Sequence, residues 1–284
     1  MKKFILRRLK ITRIKIFIAR ILYIFTRIFI WNPVQVVKRG GITFELDIRE
    51  GIDLHLFWFG NFQKHVYNND IIKIPADAVI FDVGGNAGVM ALMFAQRAPK
   101  GQVHSFEPTD YALRKFERNM ELNPAEAAHI TVNQAFISSE ARESVNVEVF
   151  SSWPVTGGSD KHSIHQGVKK TGNNIPSVRL DDYCAERNIS RIDLIKIDTD
   201  GHEYEVLKGC RNLIAGFKPQ IVFEIGEYVM EEKGIRYSDY HNYFQALGYA
   251  VFMPEGQPVT PENYTDHIPR YGTVDLVAVP ASKA

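Results

Sequence analysis

Two carboxylates flanking a glycine turn carry the most readable chemistry in this sequence. Asp82 follows the apolar run Val79-Ile80-Phe81, Gly84-Gly85-Asn86-Ala87-Gly88 comes next, and Glu107 closes the following apolar run nineteen residues past Gly88. Glycine tolerates positive φ and has no Cβ, so backbone can approach a ligand there, and an acid at the second strand tip can accept both hydroxyl protons of a ribose. The pattern describes a nucleoside pocket. A second acid-rich string, Lys196-Ile197-Asp198-Thr199-Asp200-Gly201-His202-Glu203, ends a later apolar run, and Glu224 ends the one after it. In an open α/β sheet these strand ends share one rim. Carboxylates crowded there repel one another unless a cation joins them, and a sulfonium or a metal would serve.

The glycine spacing separates candidate cofactors. A dinucleotide loop reads G-x-G-x-x-G, and aligning its last two glycines on Gly85 and Gly88 puts its first on Val83. The pyrophosphate turn is therefore incomplete. Acid-x-Gly-x-x-x-Gly, here Asp82, Gly84 and Gly88, resembles motif I of class I S-adenosylmethionine methyltransferases, whose cofactor has no pyrophosphate to cradle.

A longer resemblance runs from about residue 75 to 248. Phe81-Asp82-Val83-Gly84-Gly85-Asn86-Ala87-Gly88, Phe106-Glu107-Pro108, Leu180-Asp181-Asp182 and above all the string from Asp193 to Gly209 are similar to FkbM-type methyltransferases. Two departures are Gly85, where that family often has alanine, and Asp200, where it usually has glutamate. The resemblance implies a Rossmann-like class I fold, S-adenosylmethionine as donor, and transfer to a hydroxyl oxygen of a sugar, glycolipid or natural product. It also implies cofactor contacts from Asp82, Gly84, Gly85, Asn86 and Gly88 at the methionine end, from Glu107 and Pro108 at the ribose, and from Gln134 and Ala135 beside the adenine.

The surrounding elements fit an α/β, doubly wound, mostly parallel sheet. The apolar run at residues 79–83 predicts a buried parallel strand, and residues 103–106, 130–137, 192–197 and 220–225 read as further strands, with helices at 89–98, from Thr109 or Asp110 to about 122, 203–215 and 237–247. Strands at 249–253 and 274–279 are joined only by a polar, proline-containing link, which predicts antiparallel pairing at the sheet edge. Residues 34–37 and 42–46 flank Lys38-Arg39-Gly40-Gly41 as a hairpin. Residues 52–70 show no clear period. Between 138 and 177 only 145–150 looks like a strand, and the polar stretch 153–174 holds His162 and His165.

Charge divides the chain. Residues 1–44 hold eleven of the 34 Lys and Arg and none of the 33 acids, so a basic head precedes an acidic body. The head is rich in Ile, Phe and Leu, and residues 2–31 read as a helix lying on an anionic membrane surface. Arg20 and Arg27 interrupt every window long enough to span, at about 2.5–3.5 kcal/mol each at a bilayer centre, and no cleavage site follows. Packing on its own domain or on a partner subunit is the alternative. The expected organisation is a head at 1–32, a lead-in at 33–74 and a catalytic domain at 75–284. Cys184 and Cys210 have no metal or disulfide spacing. The expected location is the cytoplasm, with peripheral attachment to the inner face of the cytoplasmic membrane. The acidic body argues against a nucleic-acid partner.

Methyl transfer to a hydroxyl needs an aligned oxygen and a proton acceptor. Asp198 is the first candidate base, His202 the second and Glu224 the third. Asp198 or Asp200 could instead cap the following helix. A Mg²⁺-assisted variant would use Asp198, Asp200 and Glu224, although their spacing is no known metal signature and no metal site is assigned. Two rival classes are a nicotinamide-dependent oxidoreductase and a non-catalytic binding protein on a methyltransferase fold.

Overall fold

The computed structural model describes residues 11–157, 161–164 and 166–281, with side chains from Ile16 onward in the first helix. His165 and the bases Lys2, Lys3, Arg7, Arg8 and Lys10 lie outside the described residues. The chain begins with α1 (Ile11–Phe29), then a hairpin of β1 (Val34–Arg39) and β2 (Ile42–Asp47), then α2 (Gly51–Phe59) and α3 (Lys64–Tyr67). The hairpin turn is Gly40-Gly41, both at positive φ, which suits the right-handed twist of paired strands. The aperiodic stretch at 52–70 thus contains two short helices.

The core units follow as β3 (Val79–Val83), α4 (Val89–Arg97), β4 (Gln102–Phe106), α5 (Asp110–Glu121), α6 (Pro124–Ala127) and β5 (Ile130–Asn133). Thr109 caps α5, its side chain accepting from the Ala112 amide. After an insertion of β6 (Phe136–Ile137), β7 (Arg142–Ser152) and β8 (Val168–Val178) come α7 (Leu180–Glu186), β9 (Leu194–Ile197), α8 (Glu203–Gly209), α9 (Arg211–Phe217), β10 (Gln220–Ile225), α10 (Glu227–Lys233), α11 (Tyr237–Ala246), β11 (Tyr249–Phe252) and β12 (Val274–Pro280). Seven strands form one sheet in the order β11-β12-β10-β9-β3-β4-β5. β12 runs antiparallel to both neighbours and the pairs β10–β9, β9–β3, β3–β4 and β4–β5 are parallel.

The two C-terminal strands pair antiparallel at the sheet edge as expected, with β12 between β10 and β11. Three expectations are corrected here. The strand expected over 130–137 is two, β5 in the main sheet and β6 beside β8 in a second sheet. The stretch at 153–174 is only partly irregular: β8 pairs with β7 in a long hairpin. Bulges between Arg142 and Val145, Val145 and Val147, and Phe150 and Ser152 break the two-residue period that would have announced it. The helix expected over 203–215 is two helices meeting at Cys210, where Gly209 packs so tightly that a Cβ would lie 2.1 Å from the Ser138 carbonyl oxygen.

Alternation along the strands sends side chains into two cores. Phe81, Val83, Ile195 and Ile197 face α7, α8 and α11, whereas Ile80 and Leu194 face α4 and the lead-in. Ile42, Phe44 and Leu46 share this second core with Met90, Leu92 and Phe94. The hairpin is also fastened to α5: the amides of Thr43 and Glu45 donate to Asn123 and Asn119 at 2.8 and 2.9 Å. The sheet changes winding direction between β3 and β9, and at such a point a crevice opens beyond the carboxyl ends of the strands. Both cysteines are free and buried. Among the described residues no helix is long and apolar enough to cross a membrane.

Candidate active site

A cavity of about 800 Å³ occupies that crevice. Its floor is the tips of β3, β4, β9 and β10, and its far wall comes from α1, α2 and the segment leading into α3. Asp82 and Lys196 are paired across the β3–β9 register, both buried. A buried charge needs a partner. Lys196 Nζ meets that need by donating to the Gly84 carbonyl oxygen at 2.9 Å while lying 3.3 Å from Asp82 Oδ1 and 3.6 Å from Asp198 Oδ2. Ser105 Oγ donates to Asp82 Oδ2 at 3.1 Å. Burial alone would lower the lysine pKa, but the carboxylates of Asp198 and Asp82 more than offset it and hold the ammonium charged.

The glycine turn wraps this ion pair. At Gly84, φ is +83° and a Cβ would fall 1.8 Å from the Asp198 carbonyl oxygen; at Gly88, φ is +78° and a Cβ would strike the Phe116 ring. These glycines are therefore required by close packing of the turn on β9 and α5. Glu107, at the β4 tip, is buried and its pKa raised by that burial. Its Oε2 accepts from the Asn86 amide at 3.0 Å, and Oε1 accepts from the Thr109 amide and hydroxyl at 2.9 and 2.6 Å. Gly84, Gly85, Asn86, Glu107, Pro108 and Ala135 all line the cavity. Gln134 does not; its amide donates outward to Asp110 Oδ1 at 2.6 Å. Asp82 and Gly88 also stand behind the lining.

The opposite half is built from acids. Asp198, Asp200 and Glu224 line the cavity, with Asp275 of β12 behind them. Burial first, and then the Asp198 charge, pushes Asp200 and Glu224 well above the usual carboxylate range. Thr273 Oγ1 donates to Glu224 Oε1 at 2.6 Å. Asp200 sits at φ +51°, Gln63 and Asn86 at φ +44°; strained non-glycine residues gathered around one cavity are a mark of function. Among the described residues no group of three or more His, Cys, Asp or Glu is arranged to hold a metal ion.

The cap alternatives for Asp198 and Asp200 are not what closes the loop. Glu203 does that: its Oε1 accepts from the Thr199 and Gly201 amides at 2.9 and 3.1 Å. His202 is set away from the cavity, its ring 5.1 Å edge-on to Phe136, and burial pushes its pKa down to about 4. His162 lies outside the lining as well, 3.2 Å from Glu232 Oε1.

Three residues to which the sequence assigned no role complete the site. Lys196 is the internal cation, and a lone lysine inside the buried run Leu194–Ile197 was a usable signal. Gln63 Nε2 donates to Asp198 Oδ2 at 3.1 Å, while its buried Oε1 has no hydrogen-bond partner among the described residues. His65 Nε2 lies 2.5 Å from Asp275 Oδ2. No local pattern in residues 52–70 announces either of these two.

The sequence profile of the Methyltransferase FkbM domain matches residues 82–251. The chain is 30% identical over 199 residues to the AMB antimetabolite synthetase AmbE of Pseudomonas aeruginosa, covering 58% of this chain and 9% of that protein. It is 30% identical over 139 residues to the 2-O-methyltransferase NoeI of Sinorhizobium fredii, covering 47% and 57%. The crystal structure of a methyltransferase FkbM from Methylobacillus flagellatus superposes with a TM-score of 0.47 at 18% identity, covering 75% of this chain and 46% of that one. In each of these three the chain spans less than two thirds of the other protein's length.

Proposed function

The chain belongs to the FkbM methyltransferase family, and on that premise we propose that its cavity transfers a methyl group to a hydroxyl oxygen of a sugar, glycolipid or natural product. The cofactor is S-adenosylmethionine. The residues present fit it in two respects. Glu107 is a buried carboxylate lining the cavity at the second strand tip, where a ribose can be held. On the other side Asp198, Asp200 and Glu224 line the cavity, and Lys196 is the buried lysine beside them, so a cationic sulfonium would complement this wall. That convergence of carboxyl groups on one cavity wall is the observation that carries the proposal.

When bound, the cofactor supplies an electrophilic methyl carbon on sulfur. We assign the turn from Gly84 to Ala87 to its methionine end, with Asp82 and Gly88 shaping that turn from behind, Glu107 and Pro108 to the ribose, and Ala135 to the adenine edge. Asp198 would orient the acceptor hydroxyl and accept its proton, and the bound cofactor would supply the methyl group to that oxygen. Lys196 and Gln63 hold that carboxylate in place. Glu224 lies on the same wall as a second acceptor-side group, whereas His202 stands behind Phe136, outside the cavity lining. NoeI, named a 2-O-methyltransferase, supports oxygen as the methylated atom.

The basic head, we infer, rests on an anionic membrane surface, which would make the protein peripheral on the inner face of the cytoplasmic membrane. Its charge supports this reading, since residues 1–44 hold eleven bases and no acid. Incubation with methyl-labelled S-adenosylmethionine and a panel of nucleotide sugars, glycolipids and small alcohols, followed by mass analysis, tests the reaction. Label on a hydroxyl oxygen supports it; label on nitrogen or carbon alone contradicts it.

A further inference from the structure

Helix α1 has two apolar faces with different destinations. Ile16, Ala19 and Leu22 line the cavity, and Ala19, Leu22 and Tyr23 pack against the small core of Ile48, Leu54 and Val155. Trp58 Nε1 donates to Thr26 Oγ1 at 2.8 Å and Arg20 Nε to the Val155 carbonyl oxygen at 3.3 Å, which fixes this face on the body. The outward face is just as apolar. Phe17, Ile21, Ile24 and Ile28 are 51–64% exposed, and Trp31 beyond the helix is 87% exposed. Phe25 joins this face to α2 through Trp58, ring centroids 6.0 Å apart, and Phe59 of α2 is both exposed and part of the cavity lining. Ile18 does the same from α1. Exposed apolar side chains of α1 and α2 therefore extend from the outside of the molecule to the cavity lining.

Soluble monomers rarely leave so much contiguous apolar surface bare. Charge identifies what covers it. A second copy docked through the same face would bring like charge against like charge, whereas anionic headgroups complement the bases and an acyl layer accepts Phe, Ile and Trp together.

We propose that the acceptor is an amphiphile held in an anionic lipid surface. Its hydroxylated headgroup enters the cavity between α1 and α2 while its apolar tail remains against Ile18, Phe59 and the bilayer. The inference rests on the methyl-transfer reading and adds the substrate class. A helix that is at once the membrane contact and the cavity wall delivers the headgroup to Asp198 without moving the tail through water.

The test uses the full chain and the variant Phe17→Ser/Ile21→Ser/Ile24→Ser/Ile28→Ser, whose changed positions touch neither the cavity lining nor the Ile48–Val155 core. Flotation is measured on phosphatidylcholine vesicles with and without about one third phosphatidylglycerol. Label transfer from methyl-labelled S-adenosylmethionine is then compared between vesicles carrying the total lipid of the source cells and the water-soluble extract of the same cells. The wild type should float with the anionic vesicles and label the lipid fraction. The variant should bind S-adenosylmethionine as the wild type does, lose flotation, and lose at least tenfold of the lipid-phase label. Wild type that stays at the bottom, absence of lipid-phase label, or a variant that labels lipid equally well would each overturn the proposal. So would a concentration-dependent dimer that the variant abolishes without any flotation, because the face would then belong to a second copy. Label confined to the water-soluble extract leaves methyl transfer intact, whereas failure of the wild type to bind S-adenosylmethionine removes that reading itself.

Discussion

The two halves of the cavity are built on different principles. On the β3–β4 side most polar groups are satisfied by near neighbours in sequence, Asn86 with Glu107 and Ser105 with Asp82 being separated by 21 and 23 residues, while Lys196 reaches the Gly84 carbonyl oxygen from 112 residues away. On the β9–β10–β12 side the partners are remote, with Gln63 to Asp198 spanning 135 residues and His65 to Asp275 spanning 210. The first half is a closed local unit that can be preorganised before any ligand arrives. The second is assembled by the whole fold and holds more carboxyl groups than cations, Asp198, Asp200, Glu224 and Asp275 beside Lys196 and His65. A cofactor common to many proteins suits the first arrangement, and a particular acceptor suits the second.

Lys196 bridges the two halves through Asp82 and Asp198, so its loss should have the largest effect. Lys196→Ala leaves the buried Asp82 carboxylate without its cation, and breaking such a pair costs about 3–5 kcal/mol. Urea denaturation should show that loss directly. A variant as stable as the wild type would mean that the halves are not joined through this lysine.

Asp198→Asn should cut methyl transfer by roughly 10²–10⁴-fold, the usual span for a lost general base. Its affinity for S-adenosylmethionine should change by less than about threefold, well under the ~1.4 kcal/mol of a tenfold effect. An active Asp198→Asn enzyme in the labelling assay would end the base assignment. Glu107→Ala should do the reverse, losing about 1.5–3 kcal/mol of cofactor affinity through hydrogen bonds to a charged group. Turnover at saturating cofactor should remain near wild type.

Cofactor affinity should also depend on pH in a stated direction. Asp200 and Glu224 have raised pKa values, and a bound cation favours their ionised forms. Binding therefore releases protons, and affinity must tighten as pH rises through those raised values. Calorimetry in buffers of different ionisation enthalpy measures the release; proton uptake would contradict it.

The smallest effect belongs to His202. Its folded pKa is about 4 against an unfolded value near 6.5, so the unfolded chain binds the extra proton in between. Stability from this residue is complete above pH 6.5 and is lost as pH falls toward 4. His202→Gln should flatten that part of the thermal stability profile and leave transfer unchanged.

The same contrast explains what could be read from the chain. The parallel strands, the glycine turn and Glu107 were legible because apolar runs, glycine and a strand-end acid act over short distances. The long hairpin of β7 and β8 was hidden by bulges and by the polar, glycine- and proline-containing run Val168–Val178. The helix break at Cys210 depends on a Ser138 carbonyl oxygen against Gly209, a contact no local propensity encodes. Lys196 carried a signal, a charge in a buried strand, whereas Gln63 and His65 acquire their places only when α3 is laid over the strand ends. Asp198 was identified by position, yet the residues that hold it come from elsewhere in the chain.

Titration calorimetry of the wild type, Glu107→Ala and Asp198→Asn with S-adenosylmethionine, alongside NADH, tests the division most directly. The account predicts one S-adenosylmethionine per chain, weakened about 10–100-fold by Glu107→Ala in keeping with charged hydrogen bonds, nearly unchanged by Asp198→Asn, and no heat with NADH. Binding of NADH, or cofactor affinity that collapses with Asp198→Asn and survives Glu107→Ala, would contradict it.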